Sequence, residues 1–315
     1  MVALVVAGLP LASTTADEAT PQSRADALVS EALALAKEKS DLAVDRYRIA
    51  LELYQQAGDV RGQVNCRIYL ATLADARGDS TEAEAMLSES LPLLRELGDE
   101  IGSWLAMTLA TEAAMAGERY EKARDYSQAA LSALADLESS ERPIDTATLL
   151  AFGKQANCPN ADQASLLATI PPPLRGPIFQ VFRSLNLDAL ARSLEKLGEL
   201  EAAIDAYQQL LEVSVLFEGK LEVLRSAGRL SRDLGRDQDA RDFLNSAVEQ
   251  AREEAKWRVE IEILLELADF EISLERQDAA RERFAEALAV SDLMSDDESK
   301  SEILRRMDRA ALSDR

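Results

Sequence analysis

Residues 221–247 read LEVLRSAGRLSRDLGRDQDARDFLNSA, and their spacing decides the fold. Leu224, Ala227, Gly228 and Ser231 fall on one face of a helix, and Val223, Leu230 and Leu234 on another. The small pair Ala227-Gly228 lets a second helix approach closely, and Gly235, seven residues beyond Gly228, ends the helix in a left-handed turn. The chain then resumes with Ala240-x3-Leu244-x2-Ala247. Spacings of four and three place these three residues on one face, as a bulky knob between two small holes. The stretch therefore encodes two short antiparallel helices with complementary faces.

Outward from it, the same grammar recurs. Leu70-Ala71, Leu109-Ala110, Leu150-Ala151, Leu190-Ala191 and Leu267-Ala268 take the place of Ala227-Gly228, with second members 39, 41, 40, 37 and 40 residues apart along the series. Gly78, Gly117 and Gly198 follow their small pairs by the same seven residues. The second-helix triplet reappears as Ala43/Tyr47/Ala50, Ala83/Leu87/Ser90, Ala203/Tyr207/Leu210 and Ala280/Phe284/Ala287. Gly58-Asp59 and Gly98-Asp99 mark turns after second helices.

These residues resemble the tetratricopeptide repeat (TPR) family in its long variety of about forty residues per unit. The resemblance spans roughly residues 25–293 and is weakest over 152–177. It implies an all-α, right-handed superhelical solenoid of about seven helix-turn-helix repeats closed by a capping helix near 296–312. The expected organisation has four parts. Residues 1–24 are a signal-peptide-like segment and spacer, and residues 25–169 form the N-terminal repeats, the last one degenerate. Residues 170–177 are a non-helical Pro-rich break, and residues 178–315 hold the C-terminal repeats and cap. Composition agrees, since 47% of residues are apolar but only 5% aromatic, a mixture rich in Ala and Leu that favours helices over strands.

Residues 1–16, MVALVVAGLPLASTTA, carry no charge and are too short to span a bilayer as a helix. They fit a secretory core followed by small Thr14 and Ala16, although no Lys or Arg precedes them. Export is the expectation, to a periplasmic or secreted site of a bacterial protein, with a cytoplasmic location as the alternative and no integral membrane segment in the mature chain.

The chemistry is bounded by what the chain lacks. It contains no His, which removes the commonest general base and the usual zinc triads. Cys66 and Cys158 stand 92 residues apart and are expected to be free thiols. No phosphate-binding, nucleotide, nucleophile-elbow or zincin motif is present, so the expectation is no enzyme, no cofactor and no metal site. Asp296-Asp297-Glu298 reads as helix N-terminal charge, and Trp104 and Trp257 as packing residues. Thirty-five basic against fifty-seven acidic residues give a net charge of −22, which disfavours nucleic acid.

The resemblance implies that first helices line a groove and that the partner is a protein or peptide. Helix 220–236 carries a local charge of +3, and Arg225, Arg229 and Arg232 lie within about 60° of each other on it. They are the candidate ligand-binding residues, an anion-recognising strip, unless they pair with Glu262, Glu266 or Asp269 of the next first helix. Asp188 and Arg192 occupy the matching positions of another unit without reproducing the Lys and Asn set with which some family members grip a carboxylate. The expected function is a non-catalytic protein- or peptide-binding scaffold. The alternative is a regulatory or docking region of a larger enzyme or assembly, for example one preceding a protease-like or ATPase domain.

Overall fold

The computed structural model describes residues 20–36, 40–140, 146–148, 151, 172–213 and 219–310. Among them every regular element is a helix. These are α1 (Pro21–Leu35), α2 (Ser40–Ala57), α3 (Val60–Ala76), α4 (Ser80–Leu97), α5 (Glu100–Ala116), α6 (Tyr120–Ser139) and α7 (Pro172–Leu197). They continue as α8 (Leu200–Val213), α9 (Lys220–Asp233), α10 (Asp237–Glu253), α11 (Trp257–Ser273), α12 (Gln277–Met294) and α13 (Asp297–Arg309).

Neighbouring helices pack in pairs, α1 on α2, α3 on α4, α7 on α8, α9 on α10 and α11 on α12, and α13 packs on α12. Ser127 of α6 bonds the Thr111 hydroxyl of α5 at 3.5 Å, completing a sixth pair among the described residues. The fourth pair expected over 142–169 falls largely outside those residues.

Local chemistry explains the turns. Gly78 ends α3 at φ +79° with its N–H on the Asp75 carbonyl, and Asp79 then caps α4 by accepting from the Glu82 N–H at 2.9 Å. A left-handed residue closes a helix while a short acid opens the next, so two residues reverse the chain. Gly117 departs from the expectation, because at that turn the left-handed residue is Glu118, at φ +55°. The Gly117 N–H still bonds the Ala113 carbonyl four residues back, so the helical ladder runs through the glycine and the turn falls at Glu118. Asp296 caps α13 by accepting from the Ser299 N–H at 3.3 Å, as its place before an acidic first turn implies.

The second-helix triplets are all buried. Tyr47, Leu87, Leu244 and Phe284 each sit between small buried residues, and Tyr207 sits between Ala203 and Leu210. The small pair works as its size requires: a Cβ on Gly228 would stand 2.7 Å from Leu244 Cγ, so α9 and α10 meet at closest approach here. Each buried Leu or Phe contributes about 1.5–3 kcal/mol through apolar burial.

The chain divides into two compact units. The first comprises Met1–Gly102 and Asp145–Ser165. Its core joins α1, α2 and α3 around Tyr47 and Tyr69, whose rings lie 5.0 Å apart, and Tyr54 donates to Asp26 at 2.6 Å. Buried Asp99 accepts from the Gly102 N–H at 2.7 Å, from Arg61 at 2.9 Å and from the Thr148 hydroxyl.

The second unit comprises Ser103–Ile144 and Leu166–Arg315. Within it α6 packs directly on α7. Trp104 stacks on Phe182 at 4.2 Å, and the Thr108 hydroxyl bonds Asn186 at 3.2 Å, so α5 also lies on α7. Both tryptophans pack inside this unit, Trp257 against the α9–α13 core with Arg258 over its ring at 4.8 Å.

Two expected boundaries are corrected. The spacer was expected to run to residue 24, yet α1 begins at Pro21, with the Thr20 hydroxyl accepting from the Ser23 N–H. Proline is at home in a first turn, where its missing N–H would have no partner in any case. The same reason corrects the non-helical break over 170–177. Helix α7 starts at Pro172, so Pro172 and Pro173 occupy first-turn positions. Pro177 removes one ladder bond further in, and the helix continues through it for 26 residues in all.

Candidate peptide groove

Three first helices of the second unit, α5, α7 and α9, build a groove from their exposed faces. One cavity of about 440 Å³ is lined, among the described residues, by Asp188, Arg192, Glu195 and Lys196 of α7 and by Glu222, Val223 and Ser226 of α9. Met115 of α5, Tyr120, Tyr207 and Gly219 complete the wall. A second cavity of about 370 Å³ shares Met115, Asp188 and Arg192 with the first. Its other walls are Thr108, Thr111, Glu112 and Ala116 of α5, with Leu185, Asn186 and Ala189 of α7. Sharing three residues makes the two cavities one trough.

Helical spacing explains why these residues meet there. Leu185, Asp188, Ala189, Arg192, Glu195 and Lys196 follow one another by three, one, three, three and one, so they form a single stripe along α7. Opposite faces of α7 carry Leu187, Leu190, Ala191 and Leu194 into the core. Leu185 is an exposed large apolar side chain, about half accessible, and it supplies the apolar end of the trough. The polar end is organised by Tyr207 of α8, which donates to Glu195 at 2.9 Å. Burial, and then the charge of Glu195, push the Tyr207 phenol well above its ordinary range, so it stays a neutral donor. Asp188 and Arg192 form an ion pair one turn apart at 3.2 Å.

The three arginines expected to form an anion-recognising strip have separate surroundings. Arg225 is largely buried and is held by Glu266, with Glu262 at 3.6 Å, both on α11. It is thus committed inside the unit rather than free in the groove. Arg232 meets its own neighbour Asp233 at 3.6 Å. Arg229 bonds the Ser226 hydroxyl at 3.3 Å, one turn beyond a residue that lines the cavity. On a helical wheel Glu222, Ser226 and Arg229 lie within about 60° of each other, whereas Arg225 and Arg232 are turned further towards α11. The trough itself, centred on Asp188 and Arg192, was missed as a site. Those two residues differ in type from the Lys and Asn set, so comparison with it does not mark them.

The architecture is that of a TPR-like repeat array. No family model matches the chain, and no curated protein matches it. Three solved structures are similar to it. One is a Podosopora anserina protein of nearly identical TPR-like repeats, at 14% identity and TM-score 0.48, covering 75% of this chain and 98% of its own. BtubC from P. vanneervenii has 18% identity and TM-score 0.48 over 90% of this chain and 93% of its own. The apo form of RapI has 11% identity and TM-score 0.49 over 91% and 97%.

A cavity of about 380 Å³ between α11 and α13 is crossed by the Arg306–Asp269 ion pair at 3.0 Å. Cys66 is fully buried, and burial pushes its thiol up to about 12, which leaves it a packing residue without thiolate character at neutral pH. Cys158 and residues 1–16 lie outside the described residues. No group of His, Cys, Asp and Glu among the described residues could hold a metal ion, and no described helix is long and apolar enough to cross a membrane.

Proposed function

We propose that the chain is a non-catalytic scaffold that binds a protein or peptide segment in the α5–α7–α9 trough. The observation that carries this reading is the trough itself. Its two adjoining cavities combine an apolar end at Leu185, Ala189 and Met115 with a polar end at Arg192, Glu195 and Glu222. An extended chain offers that combination of side chains at successive positions, and fixed polar groups beside apolar walls are how such sites orient a ligand. Catalysis has no support in the trough, since it contains no nucleophile and base in contact and the chain has no His.

Ala189→Trp fills the trough from its wall without touching the core. With partner recovered on the full chain, the substitution is expected to weaken binding at least about tenfold, or about 1.4 kcal/mol. The melting temperature should stay near that of the parent chain, because Ala189 faces the cavity. Undiminished partner affinity in a folded Ala189→Trp chain would place the binding surface elsewhere.

A further inference from the structure

We infer that the segment bound in the trough is basic: a Lys or Arg side chain enters between Glu195 and Glu222 while a neighbouring apolar side chain lies against Met115 and Leu185. This rests on the groove reading above and names its occupant. The balance of charge along the walls carries the inference. Asp188 and Arg192 cancel as an ion pair. Among the described residues Glu195 is bonded by the Tyr207 hydroxyl alone, which holds it in one orientation without supplying a countercharge. Glu222 makes no hydrogen bond or ion pair among the described residues, and Arg225, on its own helix, is taken up by Glu266 and Glu262.

In the lining of the first cavity Lys196 stands against the two carboxylates Glu195 and Glu222 once the internal pair is removed, and Arg229 lies outside it, beyond Ser226. The field of the whole chain acts in the same direction. With a net charge of −22 it draws cationic segments in and repels acidic ones before contact. The arrangement thus selects a mixed basic and apolar segment over the acidic one that Arg225, Arg229 and Arg232 suggest when read from the sequence.

The test uses three short labelled peptides with identical Leu positions and Lys, Gln or Glu at the remaining ones, titrated onto the full chain by fluorescence anisotropy. The Lys peptide is expected to bind at least about tenfold tighter than the Gln peptide, with the preference shrinking as salt rises. The double variant Glu195→Gln/Glu222→Gln should remove most of that preference. Glu249→Gln/Asp278→Asn, which deletes the same charge from exposed positions on α10 and α12, should leave it. Equal losses in the two double variants would overturn the inference, since only the general field would then be at work. Tightest binding of the Glu peptide would overturn it as well. If a non-basic peptide is preferred and Ala189→Trp abolishes its binding, the basic occupant falls while the groove reading stands. If no peptide binds, or if binding ignores Ala189→Trp, both fall.

Discussion

Replacing Phe284 with alanine is expected to destabilise the second unit by about 3–5 kcal/mol. Phe284 is fully buried between Ala280 and Ala287 on α12, within a core that also takes in Leu244, Leu264 and Ile303. Small residues flank it on its own helix, so no neighbouring side chain there can swing over to refill the space. Both the lost transfer energy and the residual cavity therefore count. Chemical denaturation of the full chain should show an earlier transition for Phe284→Ala. Leu293→Ala, at the most exposed large apolar side chain among the described residues, should change it by less than about 0.5 kcal/mol. A loss under about 1 kcal/mol at Phe284 would mean that the knob is not seated in the core it shares with Leu244, Leu264 and Ile303.

Arg241→Met is expected to cost about 3 kcal/mol for a different reason. Arg241 Nε lies 2.6 Å from Glu271 Oε1, and the guanidinium stands 5.5 Å from the Phe270 ring centroid. Glu271 is almost wholly buried, and among the described residues the only other cation in reach is Arg276 at 4.0 Å. Removing Arg241 leaves that carboxylate desolvated and poorly paired, which is far costlier than the net worth of the pair. The double variant Arg241→Met/Glu271→Leu should recover most of the loss, because a matched apolar pair has no charge to desolvate. A single variant as stable as the parent, or a double variant worse than the single, would contradict this account of the α10–α11 contact.

Spacing was enough to read the packing faces but not the partners. The triplet Ala280/Phe284/Ala287 and its counterparts are buried as their four-and-three spacing requires, because a side chain's face on a helix is set by its number alone. Pro172 and Pro173 misled because a proline's effect depends on whether it stands in a first turn or an interior one. The sequence shows the proline but not where the helix starts. Arg225 misled for a related reason. Its angular position on α9 follows from its number, but whether Glu266 reaches it depends on the tilt of α11 against α9, which periodicity does not encode. Asp188, Arg192, Glu195 and Glu222 gave no motif to find. They become a site only because α7 and α9 stand side by side with Tyr207 behind them.

The central claim is that this array works through the face formed by α5, α7 and α9. Hydrogen exchange of the full chain, with and without the tightest of the three peptides, tests it directly. Bound peptide should slow exchange along residues 108–116, 185–196 and 222–229 and leave the outer faces of α10 and α12 unchanged, with Ala189→Trp erasing the effect. Slowing confined to α10 and α12, or unaltered by Ala189→Trp, would contradict the claim.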